Sequence, residues 1–316
     1  MSHIFEALQR AEEERSGGVA KQPAGSVAEI LQAADLLQAT ASEAGELTSQ
    51  STVMPVVERK VELEIQDFGS AKILVPTPPE KARLVCLTDQ GSLGAEKFRV
   101  LGLRLRHMRE RRNLKRIVIT STIPSEGKTL ISANLALNQA RSKILKTVLL
   151  DGDLRRPTLT NVFGFHRNLP GLSEYLRGER QVTDVVYKLS NSGLWFLPAG
   201  LTPENPIELM QTGRLKELLE KLETFFDWVI IDTPPVLPLA DTPLWAKLSD
   251  GVLMVVREGF SEKKPLTRAL EALDPSTMLG LVVNSCSRNE LKYYYARYGE
   301  SAKKEEEPVD STTAGK

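Results

Sequence analysis

The sequence predicts a doubly wound α/β fold on a parallel sheet. Short, almost continuously apolar runs recur between residues 116 and 284, stretches of helical periodicity separate them, and the first run leads into a glycine-containing loop that opens a helix. The runs are Arg116–Thr120, Thr147–Asp151, Leu194–Pro198, Trp228–Asp232, Gly251–Arg257 and Leu279–Asn284. They lack the polar alternation of a half-solvated strand, so each is expected to be covered on both faces, as in a parallel sheet with helical crossovers. The helix after the first run carries Leu130, Ala133, Leu137 and Ala140 on one face, the stripe that packs on such a sheet. No internal repeat is present.

The ends have a different composition. From Ser2, an N-cap residue, Ile4, Leu8 and Ala11 recur at helical spacing beside Phe5, which predicts a short amphipathic helix over 1–15. That stripe reads equally as a frayed terminal helix or as a docking peptide for a partner's groove. Residues 16–81 mix Gly, Ala, Ser, Thr, Gln and Pro, end in Val75-Pro76-Thr77-Pro78-Pro79, and are expected to form a disordered linker with one helical stretch around Ala28 to Ala41. The catalytic-type domain is expected over 82–290 and a polar, tyrosine-rich tail over 291–316.

Composition narrows the function classes. The 316 residues are 41% hydrophobic, enough for a sizeable core, and 41 basic residues balance 41 acidic ones. No whole-chain field draws the protein to nucleic acid, which is therefore not an expected partner. Cys86 and Cys286 lie far apart without metal-ligand spacing, which suits a reducing compartment. The apolar runs Val252–Val256 and Leu279–Val283 fall far short of the roughly 20 residues that span a bilayer, and the start, with Glu6, Glu12, Glu13 and Glu14, does not resemble a signal peptide. The expected location is the cytosol.

The chemistry is concentrated after Thr120. Ser121-Thr122-Ile123-Pro124-Ser125-Glu126-Gly127-Lys128-Thr129 stands between a strand and a helix, the order a phosphate-binding loop requires. Such a loop turns backbone N–H groups inward, which Gly127 permits, and adds the positive end of the following helix dipole. Pro124, Ser125, Glu126, Gly127, Lys128, Thr129 and Leu130 are the expected nucleotide-binding residues, with Lys128 on the β- and γ-phosphates and the Thr129 hydroxyl on Mg²⁺. Thr122 stands where the usual motif has its first glycine. The strand Thr147–Asp151 continues into Gly152-Asp153-Leu154-Arg155-Arg156-Pro157, and the strand Trp228–Asp232 continues into Thr233-Pro234-Pro235. Taken singly, each acid reads as a strand-end cap. Together with Lys128 and Thr129 they make an anionic cluster at the carboxyl edge of the sheet whose counter-charge is a magnesium nucleotide, so ATP and Mg²⁺ are the expected cofactors.

On these residues the chain resembles the bacterial tyrosine kinases of capsule and exopolysaccharide synthesis, which elaborate the deviant-Walker P-loop ATPase fold of Min- and Par-type proteins. The likeness runs from about Thr88 to Gly299 and includes Gly-Leu-Ser-Glu-Tyr-Leu-Arg-Gly at 171–178, Leu-Pro-Ala-Gly at 197–200, Asn-Pro-Ile-Glu-Leu at 205–209, and the boxes at Asp151 and Asp232. The start Ile4-Phe5-Glu6-Ala7-Leu8 is similar to cytoplasmic, adaptor-dependent members. The resemblance implies that Lys128, Asp151, Asp153 and Asp232 are catalytic, that Thr129, Asp151 and Asp232 organise the metal, and that Asp153 stands near the incoming hydroxyl, with Asp151 and Asp153 both candidates for the base. Asn284 reads as an adenine contact or as a turn residue.

Tyr293, Tyr294, Tyr295 and Tyr298 crowd four of the chain's six tyrosines into one segment. Three consecutive tyrosines do not share one helical stripe, and the resemblance makes the cluster the phosphoacceptor, entering a neighbouring subunit's site. It further implies a homo-oligomer, a membrane adaptor of the polysaccharide chain-length-determinant type that recruits the protein to the inner face of the membrane, and a cognate tyrosine phosphatase. Related kinases carry Glu-x-x-Arg-x-x-Arg before the first strand. Here Glu96 and Arg99 match, as oligomer contacts or as a solvated charged face, while Gly102 replaces the second arginine and Arg104 or Arg106 stands nearby. The competing reading is a Min- or Par-type ATPase switch without kinase activity. Ile123, where those proteins carry an extra lysine, counts against it.

Overall fold

The computed structural model of the chain describes residue 68 and residues 71–286 apart from 143, 167 and 238. The expected terminal helix, most of the linker and the tyrosine cluster lie outside these residues.

An eight-stranded sheet organises the described chain. Its strands are β1 (Ile73–Leu74), β2 (Arg116–Ser121), β3 (Thr147–Asp151), β4 (Tyr187–Leu189), β5 (Leu194–Leu197), β6 (Trp228–Asp232), β7 (Gly251–Arg257) and β8 (Met278–Asn284), in the order β1-β4-β5-β3-β6-β2-β7-β8. All neighbours are parallel except β4 and β5, which pair antiparallel through Tyr187 with Phe196 and Lys188 with Trp195. The expected doubly wound parallel sheet is thus present, with one antiparallel step where a short turn joins consecutive strands and reverses direction.

Helices cover both faces, and the parity of the strands divides their apolar residues between two cores. Ile117, Ile119, Leu149, Ile230, Leu253 and Val255 pack with α1 (Val85–Thr88), α2 (Leu93–Arg111) and α3 (Lys128–Ala140). Val118, Val148, Leu150, Val229, Ile231, Val252, Met254 and Val256 pack on the other face. There they meet α5 (Leu172–Leu176), α6 (Val182–Val185), α8 (Gly213–Phe225), α9 (Asp241–Lys247) and α10 (Lys263–Glu271); the short α4 (Leu159–Val162) and α7 (Pro206–Met210) complete the chain order. Continuous apolarity is therefore required, because adjacent residues serve opposite cores.

The folded unit begins ahead of the expected boundary at residue 82. Phe68 is 1% exposed and sits 4.7 Å from Phe225 and 5.6 Å from Phe226, ring centroid to ring centroid. Ile73 and Leu74 pair with Lys188 and Leu189 to close one sheet edge. Two pairs of backbone partners and an aromatic cluster outweigh the proline-rich composition that points to a linker.

Gly102 is buried where α2 crosses α3: a Cβ there would come within 2.3 Å of Asn138 Nδ2, and Gln139 Nε2 donates to the Gly102 carbonyl at 3.2 Å. A side chain at this position would have to displace the Asn138 amide. Arg106 donates to Gln139 at 2.9 Å, so of the two nearby arginines only Arg104 is exposed. Glu96 and Arg99 pair with each other on the exposed side of α2, and Arg99 also donates to the Gln90 carbonyl. Among the described residues no helix is long and apolar enough to cross a membrane.

The start of β2 is anchored by Asp250, whose carboxylate accepts from the backbone N–H groups of Lys115 at 2.9 Å and Arg116 at 2.7 Å and from the Arg116 guanidinium at 3.1 Å. Asp250→Ala leaves these donors without their acceptor and is expected to lower the unfolding free energy by about 2 kcal/mol in urea titration. A loss below about 0.5 kcal/mol would contradict the anchoring role.

Candidate functional site

The site lies at the carboxyl ends of β3, β6 and β2, three adjacent strands in the middle of the sheet. Strand parity aims its acids. Leu149 and Ile230 face α3, so Asp151 and Asp232, two residues further on, lean toward the same helix. They are register partners on neighbouring strands, which places two buried carboxylates side by side.

The loop from β2 to α3 is held in an irregular conformation. Ser125 has φ 71° and Gly127 φ 97°, and α3 begins at Lys128 with Gly127 as its cap. The positive φ at residue 127 favours glycine, and a Cβ there would displace the Asn284 amide, whose Nδ2 lies 2.2 Å away. The left-handed turn just before a helix start makes a concavity of backbone N–H groups, the geometry that holds anions. Pro124 and Ser125 are exposed at its rim, and Lys128, Thr129 and Leu130 are half-buried behind it.

Lys128 stands at the centre of the cluster. Its Nζ lies 3.3 Å from Asp153 Oδ2, 3.9 Å from Asp232 Oδ2 and 3.4 Å from Thr129 Oγ1, with the lysine side chain 12% exposed. Burial would push the ammonium down, but Asp232, Asp153 and Asp151 more than offset this and hold it above the ordinary lysine range. Burial, reinforced by Asp232, pushes the Asp151 carboxyl well above its ordinary range. Burial also raises Asp232, opposed in part by Lys128, Thr129 and Ser132.

The three acids are committed to different degrees. Asp151 accepts from the N–H groups of Asp153 at 3.3 Å and Leu159 at 3.1 Å. Asp153 uses Oδ1 for the Arg156 N–H at 3.0 Å and turns Oδ2 to Lys128. Asp232 uses Oδ1 for the Ser132 hydroxyl at 3.0 Å, whereas its buried Oδ2 accepts no hydrogen bond of normal geometry. Thr129 Oγ1 is 3.3 Å from Thr158 Oγ1.

These residues fit a magnesium nucleotide. Among the described residues no group of three or more His, Cys, Asp or Glu could hold a metal ion unaided. A few carboxylate and hydroxyl oxygens completed by substrate phosphates and water suit Mg²⁺, which keeps much of its hydration shell. The unsatisfied Asp232 Oδ2 and the half-exposed Thr129 hydroxyl supply such oxygens, beside the anion-binding turn.

Two expected binding residues have other engagements. The Glu126 side chain is fully buried and turned from the concavity, accepting from Ile123 N–H at 2.9 Å and from the Ser261 hydroxyl, so only its backbone N–H serves an anion. Asn284 donates from Nδ2 to the Glu126 carbonyl at 2.9 Å and accepts from Ser285 N–H at 2.8 Å. Its amide is engaged with the loop, the turn-forming alternative.

Further residues here are invisible to motif reading. Gly152 N–H donates to the Asp232 carbonyl at 2.7 Å, Trp245 Nε1 donates to the Gly152 carbonyl at 3.1 Å, and a Cβ at 152 would come within 2.9 Å of the Asp232 carbonyl. Arg155 grips Asp241 with two bonds, at 2.8 and 3.1 Å, tying the loop after β3 to the start of α9. Glycine between two acids hints at close approach, but Trp245 and Asp241 lie too far along the chain for any local pattern to reveal them.

Because Asp232 is buried beside another carboxylate, its folded form binds a proton more readily than its unfolded form. Stability from this group is present at low pH and is lost as pH rises from the ordinary aspartate range toward the raised value. In metal-free, nucleotide-free protein, Asp232→Asn is expected to raise the unfolding free energy by about 1 kcal/mol at pH 7.5, the gain shrinking below about pH 4. A gain of the same size at both pH values would contradict the burial argument.

Comparison with known proteins gives a consistent result. No protein-family profile matches the chain. Tyrosine-protein kinase YwqD of Bacillus subtilis (strain 168) is 33% identical over 216 residues, 67% of this chain and 90% of that protein. Tyrosine-protein kinase CpsD of Streptococcus agalactiae is 31% identical over 193 residues, 60% of this chain and 84% of that protein. Among solved structures, the chimerical protein CapA2B2 matches at 30% identity with TM-score 0.61, covering 69% of this chain and 95% of that one. The kinase domain of Escherichia coli tyrosine kinase ETK matches at 25% identity, also with TM-score 0.61, covering 71% and 95%.

Proposed function

The chain belongs to the bacterial tyrosine-protein kinases, and from that premise we propose that it uses Mg·ATP to phosphorylate Tyr293, Tyr294, Tyr295 and Tyr298 of a neighbouring copy. The observation that carries this reading is the placement of Lys128 between the anion-binding turn at Gly127 and the carboxylates of Asp153 and Asp232. A lysine already balanced by acids accepts a polyphosphate in place of Asp153 with little change in its own charge environment. Thr129, Asp151 and Asp232 would hold the metal, which would supply charge neutralisation at the transferring phosphoryl group.

Asp153 is the better base of the two candidates. Its Oδ1 accepts the Arg156 N–H but its Oδ2 is held only by Lys128, the partner a polyphosphate draws away, whereas both oxygens of Asp151 accept backbone N–H groups. Asp153 takes the phenolic proton as the tyrosine oxygen bonds to the γ-phosphorus and the bond to ADP breaks. Each transfer adds about −1.5 to −2 charge, so the acceptor segment is repelled from an acidic site and released.

We assign the wider role to control of capsule or exopolysaccharide polymerisation and export, with a membrane adaptor of the chain-length-determinant type, a homo-oligomer contacted through Glu96 and Arg99, and a cognate tyrosine phosphatase. The cytoplasmic face of the membrane is the corresponding location. These assignments rest on the family.

Incubation of the full chain with labelled ATP and Mg²⁺ tests the kinase reading. Phosphotyrosine is expected at 293–298, and Lys128→Met lowers its rate about 100-fold or more. Replacing all four tyrosines by Phe is expected to leave ATP binding intact while removing most label. Mixed with this variant, Lys128→Met protein becomes labelled if transfer runs between subunits. Steady ATP hydrolysis without labelled protein would instead establish the ATPase switch.

A further inference from the structure

Glu126 stands at a position that a phosphate-loop pattern leaves unspecified, yet it is fully buried. Its two carboxylate oxygens have separate tasks. Oε2 accepts the Ile123 N–H at 2.9 Å, closing the loop on itself, and Oε1 accepts the Ser261 hydroxyl from the turn after β7. Ser261 Oγ in turn accepts the Arg257 N–H at 2.8 Å. The Glu126 carbonyl takes Asn284 Nδ2 from the end of β8, and the Glu258 N–H donates to the Asn284 carbonyl at 3.0 Å. The loop is thus braced from the ends of β7 and β8 through a residue lying between its two left-handed positions, Ser125 and Gly127.

A buried carboxyl is an expensive brace: burial pushes it above the ordinary glutamate range, and the hydrogen bonds from Ser261 and the backbone offset this only in part. An apolar residue would fill the space without that cost but would leave the Ile123 N–H and the Ser261 hydroxyl without their acceptor. The arrangement therefore serves the loop's conformation.

We propose that Glu126 is a positioning residue for the phosphate loop. It holds the Ser125–Gly127 turn in its anion-binding form and makes nucleotide affinity depend on the 258–261 turn through Ser261. Lys128, Asp151, Asp153 and Asp232 lie outside this brace, so its loss weakens nucleotide binding more than turnover. The proposal rests on the loop being the nucleotide site.

The test uses the full chain and two readouts, amide hydrogen exchange without nucleotide and binding of a fluorescent ADP with Mg²⁺. Glu126→Ala is expected to speed exchange at Ile123 and Arg257 and to weaken nucleotide binding about tenfold, raising KM for ATP more than it lowers kcat. Glu126→Gln keeps a carbonyl acceptor of the same size and is expected to recover most of the affinity. Ser261→Ala, a smaller change that preserves the fold if Glu126→Ala does not, is expected to speed exchange at Ile123 to a lesser degree and to weaken binding about threefold, and the double variant should match Glu126→Ala alone. Exchange at Ile123 unchanged in Ser261→Ala, or losses that simply multiply in the double variant, would overturn the proposal. Lys128→Met runs in parallel: if it binds the probe as the parent does, the nucleotide reading of the loop falls, and the exchange rates of the nucleotide-free variants still decide the brace.

Discussion

The structure of the site depends on one buried ammonium set among carboxylates that the fold forces together. Asp151 and Asp232 are register partners with no exposure to solvent, and neither finds an arginine. Lys128 is the cation that makes their proximity tolerable, and it does so from the first residue of a helix whose dipole end also faces the cluster. Isolated buried charges cost several kcal/mol each, so the arrangement persists only because each member compensates another. Such a balance is suited to exchange: an anion with its own metal replaces one set of partners by another.

The rest of the fold converts this constraint into position. Two cores, one on each face of the sheet, immobilise β2, β3 and β6, so their ends are set relative to one another by backbone hydrogen bonds. Gly152 lets the chain after β3 come close to β6, and Trp245 locks that approach from above. Arg155 and Asp241 join the two loops that carry the acids. The phosphate loop is bound from its other side by Glu126, Ser261 and Asn284. Rigid strand ends with braced loops are what phosphoryl transfer asks of a protein, since positioning and charge supply most of the rate.

Most of the central sheet was legible because burial on both faces imposes continuous apolarity. Thr147–Asp151, Trp228–Asp232 and Gly251–Arg257 have the expected limits. Ile73–Leu74 and Tyr187–Leu189 were not legible, being too short to show a period, one of them inside a proline-rich stretch. The cluster of Lys128 with Asp153 and Asp232 followed from acids at strand ends near a Gly-Lys-Thr turn. The inward rotation of Glu126 did not, because its partner Ser261 is remote in sequence and the loop pattern constrains no side chain there. Gly102 read as a departure from a motif, and its reason, contact with Asn138 and Gln139 on α3, is a tertiary fact.

Family membership and geometry meet at Lys128. The family supplies the tyrosine-kinase chemistry, and the site supplies an ammonium poised between acids and an anion-binding turn. The most direct measurement is titration calorimetry of Mg·ATP into the full chain and into Lys128→Met. The account predicts saturable binding to the parent and at least about tenfold weaker binding to the variant. Equal heats and affinities for the two proteins would contradict it.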